Sequence, residues 1–231
     1  MIKRIIKSTL IVLAFVPVFS QTGSCAPCYG TRMPGKDKWH CGYQAHDIFR
    51  TELKNDQGSM RSVQGLFLLS RGLFEGLSID AKIGVGGLRY KRPGRPEIDY
   101  KAWFCGGYGF RIRLGERAAY KTVFGFQHIS AHPRRAIAAG ERHKAILDDW
   151  QFSWLCSRDF KRGTPYVGLR FGRKDYLYLG EVSRKRTRSD MSRALGLVVG
   201  SDVALTQRSW LNLEGQAING EAFSISYNFK L

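Results

Sequence analysis

Apolar residues recur at every second position in segment after segment, and no other feature constrains the fold of this chain so strongly. In Leu77 to Val85, the residues Leu77, Ile79, Ala81, Ile83 and Val85 alternate with Ser78, Asp80, Lys82 and Gly84. Successive side chains of a strand point to opposite faces, so this spacing predicts a β-strand with one apolar and one polar face. The pattern returns in Ala102, Phe104, Tyr108, Phe110, Ile112 and Leu114, in Trp150 to Cys156, in Pro165 to Phe171, and in Phe223 to Leu231. Beyond residue 20 there is no continuous apolar run of the ~20 residues that a spanning helix requires. A mature chain that enters a membrane therefore does so as a closed barrel, since lipid leaves no partner for unpaired backbone groups.

The second face carries Lys101, Arg111, Arg113 and Arg170 interleaved with glycines, as a crowded polar lumen would. Tyr100, Trp150, Trp154, Tyr176, Tyr178 and Trp210 fall near the ends of the expected strands, where aromatic girdles lie. Nine strands are legible: 77–90, 98–114, 118–132, 147–158, 164–172, 176–182, 194–206, 209–218 and 221–231. The ambiguous segment 57–74 supplies a tenth, because bacterial barrels close with an even number. The expected fold is all-β, an antiparallel up-and-down transmembrane β-barrel of about ten strands, within limits of eight to twelve. A soluble β-sandwich or an internally liganded periplasmic barrel binding an anionic ligand would alternate too. Asn219-Gly220 is the strongest hairpin signal, since both residues accept the positive φ of a type I′ turn. Counted in this way, the connection 132–147 falls at the same end as the C-terminus, against the usual habit of placing long loops outside.

Lys3, Arg4 and Lys7 precede an apolar stretch from Leu10 to Val18, and Val18-Phe19-Ser20 offers a cleavage site before Gln21. The expected organisation is a signal peptide over 1–20, an irregular lead-in over 21–56 and a barrel over 57–231. An uncleaved anchor, or a lipoprotein signal ending at Cys25, is the alternative. The formal charge is +18, and loss of Lys3, Arg4 and Lys7 leaves 18 − 3 = +15. Such an excess points to nucleic acid, anionic lipid or lipopolysaccharide, or anionic solutes. Export leaves no role for nucleic acid, and basic clusters such as Arg134, Arg135, Arg142 and Lys144 suit rims that meet anionic headgroups. The alternating strand Phe223 to Leu231 resembles the terminal strand that barrel-assembly machinery reads, with Leu231 where an aromatic residue is usual.

Cys25, Cys28 and Cys41 crowd the N-terminal region. Cys25-x-x-Cys28 with His40 and Cys41 lacks a fourth cysteine at zinc spacing, so a disulfide among the three is expected in an oxidising compartment. Cys105 and Cys156 sit in strand-like segments as packing residues. The runs Gly84-x-Gly86-Gly87 and Gly106-Gly107-x-Gly109 lie within strands with no following helix, so neither is a phosphate loop and no cofactor is expected.

The chemistry-bearing constellation is Phe124-Gly125-Phe126-Gln127-His128-Ile129-Ser130-Ala131-His132. At two-residue spacing His128, Ser130 and His132 share one face, and polar residues of this kind are expected to line the lumen or rim, with Arg111 and Arg113, as a hydrogen-bonded network. A metal site from His128, His132 and His143 is the third option. The segment resembles the His-x-Ser-Ser-His strand motif of an uncharacterised bacterial outer-membrane family over about 47–171, with Ala131 in place of the second serine and Pro133-Arg134-Arg135 in place of its acidic tail. It is also similar to the lipid A deacylases, small barrels with a His-x-Ser pair and a glutamate about a dozen residues later. That likeness implies His128 as base, Ser130 as nucleophile and Glu141 as the residue that orients the imidazole. The leading expectation is a non-enzymatic outer-membrane barrel, structural or weakly pore-forming, whose basic rims contact anionic lipid. The alternative is an acyl-ester hydrolase acting on lipid A.

Overall fold

The computed structural model describes residues 27–138, 140–180 and 186–231. The signal-peptide reading and Cys25 lie outside them. The described residues form twelve strands: β1 (Trp39–Glu52), β2 (Ser59–Phe74), β3 (Leu77–Lys91), β4 (Ile98–Arg117), β5 (Tyr120–Ala131), β6 (Ala136–Ala138), β7 (Glu141–Arg158), β8 (Gly163–Gly180), β9 (Arg186–Asp190), β10 (Leu195–Ala204), β11 (Ser209–Ala217) and β12 (Glu221–Lys230). All pairings between them are antiparallel, β1 closes on β12, and β7 pairs with both β5 and β8. The result is a closed ten-stranded barrel. β6 extends the line of β5 along β7, and β9 extends the line of β10 along β8.

Two strand assignments are corrected. β1 lies inside the segment read as an irregular lead-in, so the barrel begins at Trp39. Its alternation is faint because the lumen side is polar (His40, Gln44, His46) and the outer side mixes Tyr43 with Ala45 and Asp47. The segments read as separate strands at 164–172 and 176–182 are, as far as Gly180, one strand, β8. The run Arg173-Lys174-Asp175 that suggested a turn is paired across strands instead. Lys174 lies 3.4 Å from Asp149 in the interior, while Arg173 and Arg188 both bond Asp175. Joining two segments into β8 leaves five barrel strands after β5 where six were counted, which moves the connection that starts at His132 to the end away from Trp39 and Leu231, together with connections 53–58, 92–97 and 218–220. The opposite, lower end holds the short links at 75–76, 118–119, 159–162 and 205–208.

The burial pattern inverts that of a soluble protein. Lys82, Arg111, Arg170, Lys174, Gln127 and Glu214 are buried inside, whereas Ile83, Phe152, Leu169, Val199 and Ile225 stand exposed on the outer wall. Tyr100, Tyr176 and Trp210, expected in girdles, are buried in the interior, and Tyr178 points inward beside them. Only Trp150 and Trp154 of that set face outward.

Residues 27–38 fold back into the lumen. Lys82 and Gln127 donate to the carbonyl of Pro27 at 3.0 and 2.6 Å. Arg111 donates to the carbonyls of Tyr29 and Arg32 while paired with Asp80 at 2.7 Å, and the Cys28 N–H donates to Glu214 at 2.8 Å. The lumen cations Lys82, Arg111, Arg170 and Lys174 are matched by Asp80, Asp149, Asp202 and Glu214. Above this layer, Ile48, Leu66, Leu88, Tyr100, Ile129 and Leu147 form an apolar core. Cavities of about 20 and 10 Å³ remain around the inserted segment, room for at most a single water each. Cys28 and Cys41 are free thiols, so no disulfide joins them.

Candidate active site on the outer wall

On β5 the odd-numbered residues from Val123 to Ala131 are buried and the even-numbered ones are not. Gln127 reaches the inserted segment inside the lumen, so His128 and Ser130 point outward, in phase with Phe124 and Phe126. Of the expectation that His128, Ser130 and His132 line the lumen or rim, the lumen reading is thereby corrected. The physical reason is phase: on an unbulged strand, side chains two residues apart cannot change face. His132, one residue past the strand, is held by its N–H donating to the Phe104 carbonyl at 2.8 Å.

These residues gather around one carboxylate. In the β5–β7 ladder Ser130 lies directly opposite Asp148, which brings Cβ atoms to about 4.5–5.5 Å. The Ser130 hydroxyl donates to Asp148 Oδ1 at 2.5 Å, and His132 Nε2 lies 2.8 Å from the same Ser130 Oγ. His128 Nε2 is 3.7 Å from Asp148 Oδ1 and makes no hydrogen bond. The His128 ring stacks on Trp150 at 4.0 Å and 23° and meets the edge of Tyr108 at 5.4 Å. Below it Phe126, Phe152 and Phe124 continue an aromatic wall, with ring centroids 5.1 Å apart for Phe126–Phe152 and 6.0 Å for Phe124–Phe152. On the other side of Ser130 its ladder partner is Gly106, over which the Phe104 ring lies. A Cβ there would lie 3.0 Å from Phe104 Cζ.

Glu141 does not join the cluster. It pairs with Ala138 at the far end of β7, seven residues from Asp148, or about 23 Å at 3.3 Å per residue. Asp148 occupies the place expected of Glu141. Its outward phase with Trp150, against inward Asp149, was the available signal, but only the β5–β7 register puts it beside Ser130. His143 points inward, bonding the Tyr178 hydroxyl at 2.6 Å and lying 3.1 Å from the Ala138 carbonyl. It is therefore on the opposite face from His128 and His132, and among the described residues no group of metal-ligating side chains forms. Arg111 sits in the lumen network, while Arg113 is near the lower end, paired with Glu116 at 2.5 Å. Exposed cations flank the cluster on the outside: Lys101, Arg134 over Trp103 at 4.5 Å, and Arg173 on β8.

A serine hydroxyl between an imidazole and a carboxylate has the components of nucleophilic acyl transfer. Its site is an outer wall, not a pocket in the lumen.

No family model matches the chain, and no curated protein matches it. Among solved structures it is similar to the translocator domain of the autotransporter NalP from Neisseria meningitidis, with a TM-score of 0.49 at 11% identity over 87% of this chain and 91% of that one. It is likewise similar to an outer membrane channel from Pseudomonas putida F1, with a TM-score of 0.49 at 9% identity over 90% and 100% of the two chains. The outer membrane protease OmpT from Escherichia coli gives a TM-score of 0.44 at 11% identity over 87% and 96%. These likenesses concern the outline of the fold.

Proposed function

We propose that the chain is an outer-membrane β-barrel that works at its lipid-facing wall, hydrolysing acyl esters of outer-leaflet lipid such as lipid A. The membrane reading is supported by the apolar outer wall and charge-balanced interior, the arrangement expected of a barrel in lipid. The observation that carries the hydrolase reading is the Ser130–His132–Asp148 cluster directly above the Phe124, Phe126 and Phe152 wall. Acyl chains would lie against those rings and the ester would meet the hydroxyl at their upper edge. Exposed Lys101, Arg134 and Arg173 would face the anionic headgroup. The Ser130 hydroxyl turns from Asp148 to the unprotonated Nε2 of His132, and as its oxygen attacks the acyl carbon its proton passes to that nitrogen, since an imidazole is a stronger base than a carboxylate. Asp148 supplies the counter-charge. The alcohol then leaves with the proton held by His132, and water hydrolyses the acyl-serine to free fatty acid.

A pore is the weaker reading because residues 27–38 and their partners fill the lumen. The second reading is a non-enzymatic barrel whose exposed rim cations hold anionic lipid, delivered to the membrane through assembly machinery that reads β12. The test is heat-modifiable mobility of the outer-membrane fraction, followed by fatty-acid release from lipid A by the wild type and by Ser130→Ala. A heat-shifted band with release lost in the variant is the expected result. A shifted band with no release in either leaves the non-enzymatic barrel, and a soluble, unshifted protein overturns both readings.

A further inference from the structure

Acyl transfer requires a donor for the oxygen that becomes negative when the serine adds, and on this wall the usual donor is absent. Backbone N–H groups supply most oxyanion holes, but those of β5 and β7 are engaged in the ladder from Tyr120–Arg158 to Ala131–Leu147. Among the described side chains of the cluster, one buried nitrogen has no hydrogen-bond partner: His128 Nε2. It lies one outward position below Ser130 on the same strand, its ring clamped on Trp150 and edged by Tyr108, so its direction is set by packing. Asp148 Oδ1, 3.7 Å away, favours the tautomer that carries the proton on Nε2.

We infer that His128 is the oxyanion donor of this site and not its base, an assignment that rests on the hydrolase reading. As Ser130 Oγ bonds to the acyl carbon, the carbonyl π pair moves onto its oxygen, and the His128 Nε2–H donates a hydrogen bond to that oxygen without giving up its proton. The Ser130 proton, turned from Asp148 toward the unprotonated His132 Nε2 that lies 2.8 Å from the hydroxyl oxygen, goes to His132. The C=O then re-forms, the C–O bond to the lipid alcohol breaks, and the alcohol takes the proton from His132.

The experiment compares the full-length barrel with Ser130→Ala, His128→Gln and His128→Phe, measuring kcat and KM for fatty-acid release from lipid A in mixed micelles, with heat-modifiable mobility as the check on folding. Phenylalanine keeps the ring against Trp150 and removes the donor, so kcat falls by about 10²–10³-fold with KM little changed. Glutamine keeps an N–H but cannot serve as a base, and it restores most of the lost rate. Equal loss in both folded variants would assign His128 as the base and overturn the inference, as would full activity in His128→Phe. If either variant fails to show heat-shifted mobility, His128→Asn and Trp150→Phe, which respectively retain a donor and loosen its clamp, replace the pair with the same ordering expected. Release that is absent from the wild type, or unchanged in Ser130→Ala, removes the hydrolase reading and this assignment with it.

Discussion

Ser130 and Asp148 face each other across the β5–β7 ladder on the outside of the barrel, with the hydroxyl 2.5 Å from the carboxylate. The residues are eighteen apart in sequence, and the hairpin carrying Glu141 lies between them. If this pair is the working unit, Asp148→Asn lowers kcat for lipid ester hydrolysis by about 10²–10⁴-fold. Glu141→Gln leaves it unchanged. Steady-state release assays on the two folded variants separate the structural assignment from the one that sequence spacing suggested.

The pairing of Arg111 with Asp80 is buried and bidentate, through Nε at 3.0 Å and Nη2 at 2.7 Å. Removing one partner strands a charge in the lumen, so Arg111→Ala costs about 3–5 kcal/mol of stability. The double variant Arg111→Met with Asp80→Leu recovers most of that. Urea midpoints followed by tryptophan fluorescence in lipid vesicles would show the ordering, and an Arg111→Ala midpoint equal to wild type would contradict it.

Residues 27–38 close the lumen through contacts from Lys82, Arg111 and Gln127. Wild-type protein in planar bilayers is expected to be electrically silent. Deleting residues 27–38 uncovers the charges of the lower lumen, and discrete conductance steps should follow once the apolar layer above is opened as well by Leu88→Ser and Leu147→Ser. Steps of the same size from the wild type would argue that the inserted segment does not seal the barrel.

Cys28 offers a chemical report on the same segment. It is fully enclosed and accepts a hydrogen bond from Gln151 at 3.1 Å. Burial pushes the Cys28 thiol up, with the Glu214 carboxylate adding to the effect. The neutral form therefore prevails in the folded protein well above the pH at which a free thiol ionises. A Cys28-only variant should resist maleimide at pH 8 while folded and react once urea opens the barrel. Rapid labelling of the folded protein would mean that the segment leaves the lumen.

Much of the architecture was legible because strand phase is a local property. Each alternating run states which residues share a face, and the phase of β5 was correct even where the assigned face was not: His128 and Ser130 ride with Phe124 and Phe126. Residue type misled there, because polar side chains were expected to turn inward. β1 escaped notice for the converse reason, since its lumen face carries His40, Gln44 and His46 and so hides the apolar rhythm. The charged run at Arg173-Lys174-Asp175 looked like a solvated turn because the partners that neutralise it, Asp149 and Arg188, come from other strands.

By itself, then, the sequence determined that the chain alternates, that it closes as an antiparallel barrel of about ten strands, and that His128, Ser130 and His132 share a face. Tertiary structure alone decided which face that is, that Asp148 and not Glu141 stands beside Ser130, and that residues 27–38 fill the lumen. The physical reason is that side-chain direction follows from a two-residue repeat, whereas register, barrel closure and plugging depend on contacts between segments far apart in the chain.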